Sequence, residues 1–201
     1  MPHAFILLYR NNRYVKIITD VALFCLITVA FHFLWWQGLK PIVGTKQAFL
    51  ALANGLAHNV FICSRWILVN FTGIVSYTEG NTFHYINNGY ISVVESCSGL
   101  KQFYQIIVLY LLFPGPWKHK LWYIPACIIV MHLFNILRII GLSYTLIWVP
   151  EHWDYIHLSI FRPMYYAVIF LQWVFWNEKI RNWDKKTEDR LKMIFSFYLK
   201  K

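Results

Sequence analysis

From residue 15 to residue 36 the chain runs through apolar side chains with Lys16 and Asp20 as its only formal charges. At about 1.5 Å of rise per residue, a helix of this length crosses a hydrocarbon core about 30 Å thick. The run is too long for the core of a secretory signal and lacks a small-residue cleavage site. It ends in Phe31, Phe33, Trp35 and Trp36, rings that favour the boundary between hydrocarbon and water. It is therefore expected to be a retained membrane span. Further apolar runs at 98–113, 121–149 and 158–176 are closed by Pro114-Gly115-Pro116, by Pro150-Glu151 and by a charged tail.

Composition supports the same class. Of 201 residues, 58% are hydrophobic, 19% aromatic and only 14% charged, whereas a soluble domain is about a quarter charged. The net charge of +10 sits outside the apolar runs, so it marks span flanks rather than a nucleic-acid surface. Arg10, Arg13 and Lys16, then Lys118 and Lys120, then the tail with Lys179, Lys185, Lys186 and Arg190 are all placed in the cytoplasm by the positive-inside rule. The chain between the first span and Ser98 must then begin and end outside. Residues 47–70, made wet on one side by Asn54, His58, Asn59 and Arg65, are accordingly expected as an outer amphipathic or re-entrant helix. The competing topology, a fifth full span with the amino terminus outside, opposes the charge at Arg10, Arg13 and Lys16.

Residues 82–86 and 90–94 flank Asn87-Asn88-Gly89 with β-forming side chains, which signals a hairpin. The expected fold is thus an all-α polytopic membrane protein of about four transmembrane helices, with one amphipathic or re-entrant helix and a small outer β-hairpin. A membrane-embedded domain over 1–178 and a basic cytoplasmic tail over 179–201 complete it. The tail lies either on the anionic inner leaflet or free in solvent.

The hairpin leads into Glu95-Ser96-Cys97-Ser98-Gly99-Leu100. If Cys97 opens a helix, the positive end of the helix dipole favours a nucleophilic thiolate there, and the same amides can hold an oxyanion. Lys101, four residues on, would add charge on the same helix face. A small buried cysteine beside a helix cap is the other reading. Arg138 lies inside an apolar run, where a guanidinium costs several kcal/mol unless it meets a partner or a watery cavity; Asp20 and Glu95 are its candidate carboxylate partners. Cys97 and Arg138 stand almost equally far from a turn near Trp117, so antiparallel helices would bring them level. A thiolate also needs a proton donor for the leaving group. His157 and His152, in an outer loop from Pro150 to His157, are the candidates, although a lone histidine at a span end is more often an interfacial residue.

Cys97 in Glu-Ser-Cys-Ser-Gly-Leu, Arg138 in Asn-Ile-Leu-Arg-Ile and His157 before the last run together resemble the exosortase/archaeosortase family, over roughly residues 92–176. The resemblance implies a sortase-like site on an all-helical membrane fold facing the outer aqueous side. Cys97 would be the nucleophile, Arg138 the stabiliser of thiolate and oxyanion, and His157 the proton shuttle. Glu95, Lys101, Asn135 and His152 flank these three and are expected to contact substrate. The implied partners are membrane lipid and exported proteins whose carboxy-terminal sorting signals combine a short motif, an apolar span and a basic cluster. The expected site is the outer side of the inner (cytoplasmic) membrane, with no cofactor, metal or nucleic acid.

The chain is shorter than many members of that family, which have about eight membrane segments. A quinone-linked thiol oxidase would need paired outer cysteines. Here Cys25 and Cys127 lie in spans, and Cys63 is far from Cys97. A non-enzymatic scaffold or small transporter would leave Cys97 incidental. His84, His152 and His157 lack the spacing of a known zinc motif.

Overall fold

The computed structural model describes residues 12–43 and 46–181. Arg10 and the tail residues Lys185, Lys186 and Arg190 lie outside the described residues. Helix α1 (Arg13–Leu34) opens on Asn12, whose side-chain oxygen accepts from the Tyr14 and Val15 amides and so satisfies donors that the first turn leaves free. It continues through a π-helical turn, Trp35–Leu39, to Val43. Helix α2 (Gln47–Phe71) leads into strands β1 (Val75–Glu79), β2 (Thr82–Tyr85) and β3 (Tyr90–Ser92). Helix α3 (Leu100–Leu112) and helix α4 (Trp117–Trp148) form an antiparallel pair. The chain reverses at Val149, and the last helix, α5 (Pro150–Ile180), follows at once.

Among the described residues three helices are long and apolar enough to cross a membrane: Tyr14–Ile42, Trp117–Trp148 and Pro150–Ile180. Helix α3 has 13 residues, about 20 Å, and lies against the much longer α4. The chain is an all-α polytopic membrane protein carrying a small antiparallel sheet. Helix α2 buries Ala53, Ala57, Val60, Phe61, Ser64 and Leu68, a stripe at helical spacing. Phe49 near its start stacks with Tyr104 at 6.5 Å and packs on Trp35. Its second half lies under the sheet, which itself leads to α3. Among the described residues α2 is not one of the helices long and apolar enough to cross a membrane.

The interior divides into two apolar cores. One gathers Phe24 and Ile27 of α1, Ile106 and Tyr110 of α3, Tyr123 and Met131 of α4, and Ile169 and Trp176 of α5. The other joins Val60 and Leu68 of α2 to Phe83 and Tyr85 of β2, Ile91 of β3 and Ile139 and Leu142 of α4. At the end remote from the sheet, Arg181 holds Asp20 at 2.7 Å between largely buried side chains. Lys120, read from the sequence as a loop charge, is buried. Its Nζ donates to the Phe113 carbonyl at 2.8 Å and the Leu111 carbonyl at 3.3 Å, satisfying acceptors left open where α3 ends.

The expected hairpin is part of a three-stranded sheet in the order β1-β2-β3. Strand β1 escaped the sequence reading because it buries no alternate face; Ser76, Tyr77 and Glu79 are all exposed. The sheet is tied to α4 by the Tyr85 hydroxyl, which donates to Ser143 Oγ at 2.6 Å, while Ser143 donates to the Ile139 carbonyl. Burial pushes the Tyr85 phenol up to about 12, so the neutral donor is the form the fold stabilises. That contribution is complete below pH 10, the ordinary phenol value, and is lost as pH rises towards about 12. Tyr85→Phe is therefore expected to cost about 1 kcal/mol at neutral pH. It should also remove part of the alkaline destabilisation between pH 10 and about 12, read from thermal unfolding in detergent.

Candidate active site

Asn135 and Arg138, one helical turn apart on α4, project between the two cores. Asn135 is fully buried. Its Nδ2 donates to the Cys97 carbonyl at 2.5 Å, and its Oδ1 accepts from the Tyr165 hydroxyl of α5 at 2.5 Å. Arg138 Nη1 donates to the same Tyr165 oxygen at 2.6 Å, and Nη2 reaches Cys97 Sγ at 3.8 Å. The guanidinium also lies 5.5 Å from the Tyr165 ring centre. One phenol thus joins the arginine to the asparagine, and these two hold the backbone and the thiol of the same cysteine. The carboxylates considered for Arg138 are elsewhere: Asp20 is held by Arg181, and the Glu95 side chain is exposed. Among the described residues no carboxylate lies within ion-pair distance of Arg138, and its Nε is buried without a partner.

Cys97 does not open α3. It ends a short 3-10 turn, Glu95–Cys97, and Gly99 then turns the chain with φ +77° before α3 starts at Leu100. Glycine meets no penalty in that region. Gly99 is the cap of the new helix, and Ser98 Oγ, one residue before it, accepts from the Leu100 amide at 3.2 Å. The bend overturns the expected shared helix face of Cys97 and Lys101. Lys101 faces α1 instead, with Nζ 3.4 Å from His32 Nδ1 and 5.1 Å from the Trp36 ring centre.

Cys97 and Arg138 border a cavity of about 350 Å³ whose other walls are Tyr90, Ile91 and Ser92 of β3, Ile139 and Leu142 of α4, and Trp153 and His157 of α5. The expected loop from Pro150 to His157 is helical. It passes from a 3-10 turn (Pro150–His152) through Trp153–Tyr155 into a π-helical segment, Ile156–Phe161. Such wide turns re-aim side chains and recur at functional sites. Close approach of the two helices depends on Gly141, where a Cβ would come within 2.6 Å of the Phe161 ring. Trp153 packs on the His157 ring at 4.9 Å, and Arg138, Arg162 and Asp154 lie within its electrostatic range.

Cys97, Arg138 and His157 therefore share one cavity. The other four expected substrate contacts do not border it. Asn135 spends both polar ends internally, Lys101 turns to α1, Glu95 is exposed, and His152 is exposed with Nδ1 3.5 Å from Glu151. Sequence reasoning missed Tyr165, because it sought a charged partner for Arg138. No local signal singles it out, since Tyr166 stands beside it in the same apolar run.

A family model described as transmembrane exosortase matches residues 21–171. No curated protein and no solved structure matches the chain.

Tyr165→Phe would leave Arg138 Nη1 and Asn135 Oδ1 without their buried partner. The expected cost is about 1–3 kcal/mol for each orphaned group, seen as a lowered thermal midpoint in detergent. Gly141→Ala should cost about 1–3 kcal/mol by forcing Phe161 aside.

Proposed function

The chain belongs to the transmembrane exosortase family, and on that premise we propose that it is a membrane cysteine peptidase and transpeptidase acting at Cys97. The observation that carries the reading is the approach of Arg138 Nη2 to Cys97 Sγ at 3.8 Å in a cavity that His157 also borders. Unit charges about 4 Å apart attract by about 4 kcal/mol at an effective dielectric of about 20. Arg138 has no carboxylate to neutralise it among the described residues, so its charge is left for the thiolate and for the oxyanion formed after attack.

In the first half-reaction His157 takes the thiol proton and the Cys97 sulfur attacks the scissile carbonyl. The oxygen becomes negative beside Arg138, the C–N bond breaks, and the leaving amine takes the proton from His157. An S–C thioester has replaced the amide. In the second half an amine, or water, gives a proton to His157 and attacks the thioester. The C–S bond breaks, and the returning sulfur recovers a proton. Asn135 and Tyr165 touch no reacting atom in this scheme; they position the Cys97 carbonyl and the guanidinium.

The substrates of this reading are exported proteins whose carboxy terminus carries a short motif, an apolar span and a basic cluster. The span would lie in the lipid beside the helices, and the motif would reach the cavity at the outer side of the cytoplasmic membrane. The basic residues at the start of α1 and beyond the end of α5 support that orientation.

The test uses the full chain in membranes with an exported reporter fused to such a carboxy-terminal signal from the source cell. Cys97→Ala should abolish processing. Arg138→Ala should lower it by roughly 10²–10³-fold, and His157→Ala should lower it at least as steeply as the loss of a general acid does, about 10²-fold. Arg138→Lys should not restore the rate, because a single ammonium cannot reach Tyr165 and Cys97 as a fork does. Processing that persists with Cys97→Ala would refute the thiol mechanism.

A further inference from the structure

Strand β3 is an edge of its sheet, and the order β1-β2-β3 leaves one side of Tyr90–Ser92 without a strand. The ladder decides which peptide groups lie on that side. Tyr85 donates to the Gly89 carbonyl at 3.0 Å and Val93 to the Asn81 carbonyl at 2.9 Å, with Phe83 opposite Ile91 midway between them. Bonded and non-bonded pairs alternate along an antiparallel ladder. Ile91 therefore turns its peptide groups to β2, and Tyr90 and Ser92 turn theirs outward.

That outward edge borders the cavity. Successive side chains of a strand point to opposite faces; Ile91 is buried while Tyr90 and Ser92 are exposed. All three nevertheless line the cavity beside Cys97, so the cavity meets the edge of the strand rather than one face. The chain then runs from Ser92 into the Cys97 turn, where the Cys97 amide donates to the Val94 carbonyl at 2.8 Å. The two edges of the sheet also differ in protection. Strand β1 carries a bulge between Val75 and Tyr77, a device that blunts an edge, whereas Tyr90-Ile91-Ser92 has no charge, proline or bulge.

We propose that the substrate segment carrying the scissile bond binds in extended form as a fourth strand on β3, its backbone pairing with the N–H and C=O groups of Tyr90 and Ser92. This rests on the reading of the cavity as the acyl-transfer site. A paired strand runs about 4.8 Å from β3 and follows it towards Cys97. Affinity then comes from main-chain bonds, and selectivity from the alternate side chains that enter the cavity.

Ser92→Pro removes one outward donor and the exposed Thr82–Ser92 side-chain bond of 3.1 Å while leaving the backbone ladder to β2 whole, since proline is tolerated at an edge. Thr78 stands opposite Phe83 on β1. Phe83 turns its peptide groups to β3, so those of Thr78 lie on the far edge and Thr78→Pro is the matched control. The experiment uses the full chain in membranes and the same exported reporter, with two readouts: processing, and capture of uncleaved reporter by chain carrying Cys97→Ala. Ser92→Pro should lower both by about tenfold or more, with Thr78→Pro at the wild-type level and the thermal midpoint retained. Wild-type processing and capture with Ser92→Pro would overturn the proposal.

Should Ser92→Pro fail to fold, Ser92→Cys in the Cys97→Ala chain is oxidised against single cysteines walked through the reporter ahead of its span. Cross-links at alternate positions support strand pairing; a uniform pattern, or one repeating every three to four residues, overturns it. Processing that survives Cys97→Ala refutes the thiol mechanism alone, because capture and cross-linking report on the edge without any chemistry at Cys97.

Discussion

A guanidinium in the interior of an apolar bundle must find hydrogen-bond acceptors, or its desolvation costs several kcal/mol. Arg138 finds a phenol oxygen from α5 and a sulfur from the turn before α3. Among the described residues no carboxylate pairs with it, so its charge is left beside the cavity that it borders. The same phenol supplies the proton that satisfies Asn135, and Asn135 in turn fixes the Cys97 carbonyl. Three separate elements are thereby brought to one point by the needs of a single side chain, and a misplacement of any of them leaves a buried polar group unpaired.

The polar cluster lies between two apolar cores that perform different tasks. The core remote from the sheet packs the helices with rings such as Tyr110, Tyr123 and Trp176, and Lys120 and the Asp20–Arg181 pair secure its end. The core under the sheet fastens β2 and β3 to α2 and α4. Tyr85 and Ser143 pin that sheet to α4, and the register places β3 along the cavity. Two glycines make the approach possible by different means. Gly99 turns the backbone so that Cys97 leaves the helix direction, and Gly141 lets α5 come close enough for His157 to form a wall.

Much of this was legible in the order of residues. Apolar length predicts the three long spans, though not that α3 is too short to be one of them; Asn87-Asn88-Gly89 marks the β2–β3 turn, and equal distance from the α3–α4 turn predicts that Cys97 and Arg138 are level. Other features were hidden because they depend on contacts distant in sequence. Nothing local to Tyr165 separates it from the neighbouring Tyr166; only the packing of α5 on α4 directs one phenol to Arg138. Nothing local to Lys101 says that it turns to His32, because the bend at Gly99 removes the helix face on which its proximity to Cys97 was argued. Strand β1 lacks a buried alternate face, so its pairing with β2 is set by the Gly80-Asn81 turn and the neighbouring strand.

The sequence by itself determined that the chain enters a membrane, where apolar runs end, and that a cysteine and an arginine reach one depth, because helical rise converts residue counts directly into distances along the bundle. Tertiary structure decided the rest: which histidine borders the cavity, which side chain receives the guanidinium and which strand edge faces the thiol. Those choices depend on rotation of helices about their axes, and that rotation is set by packing between segments far apart in the chain.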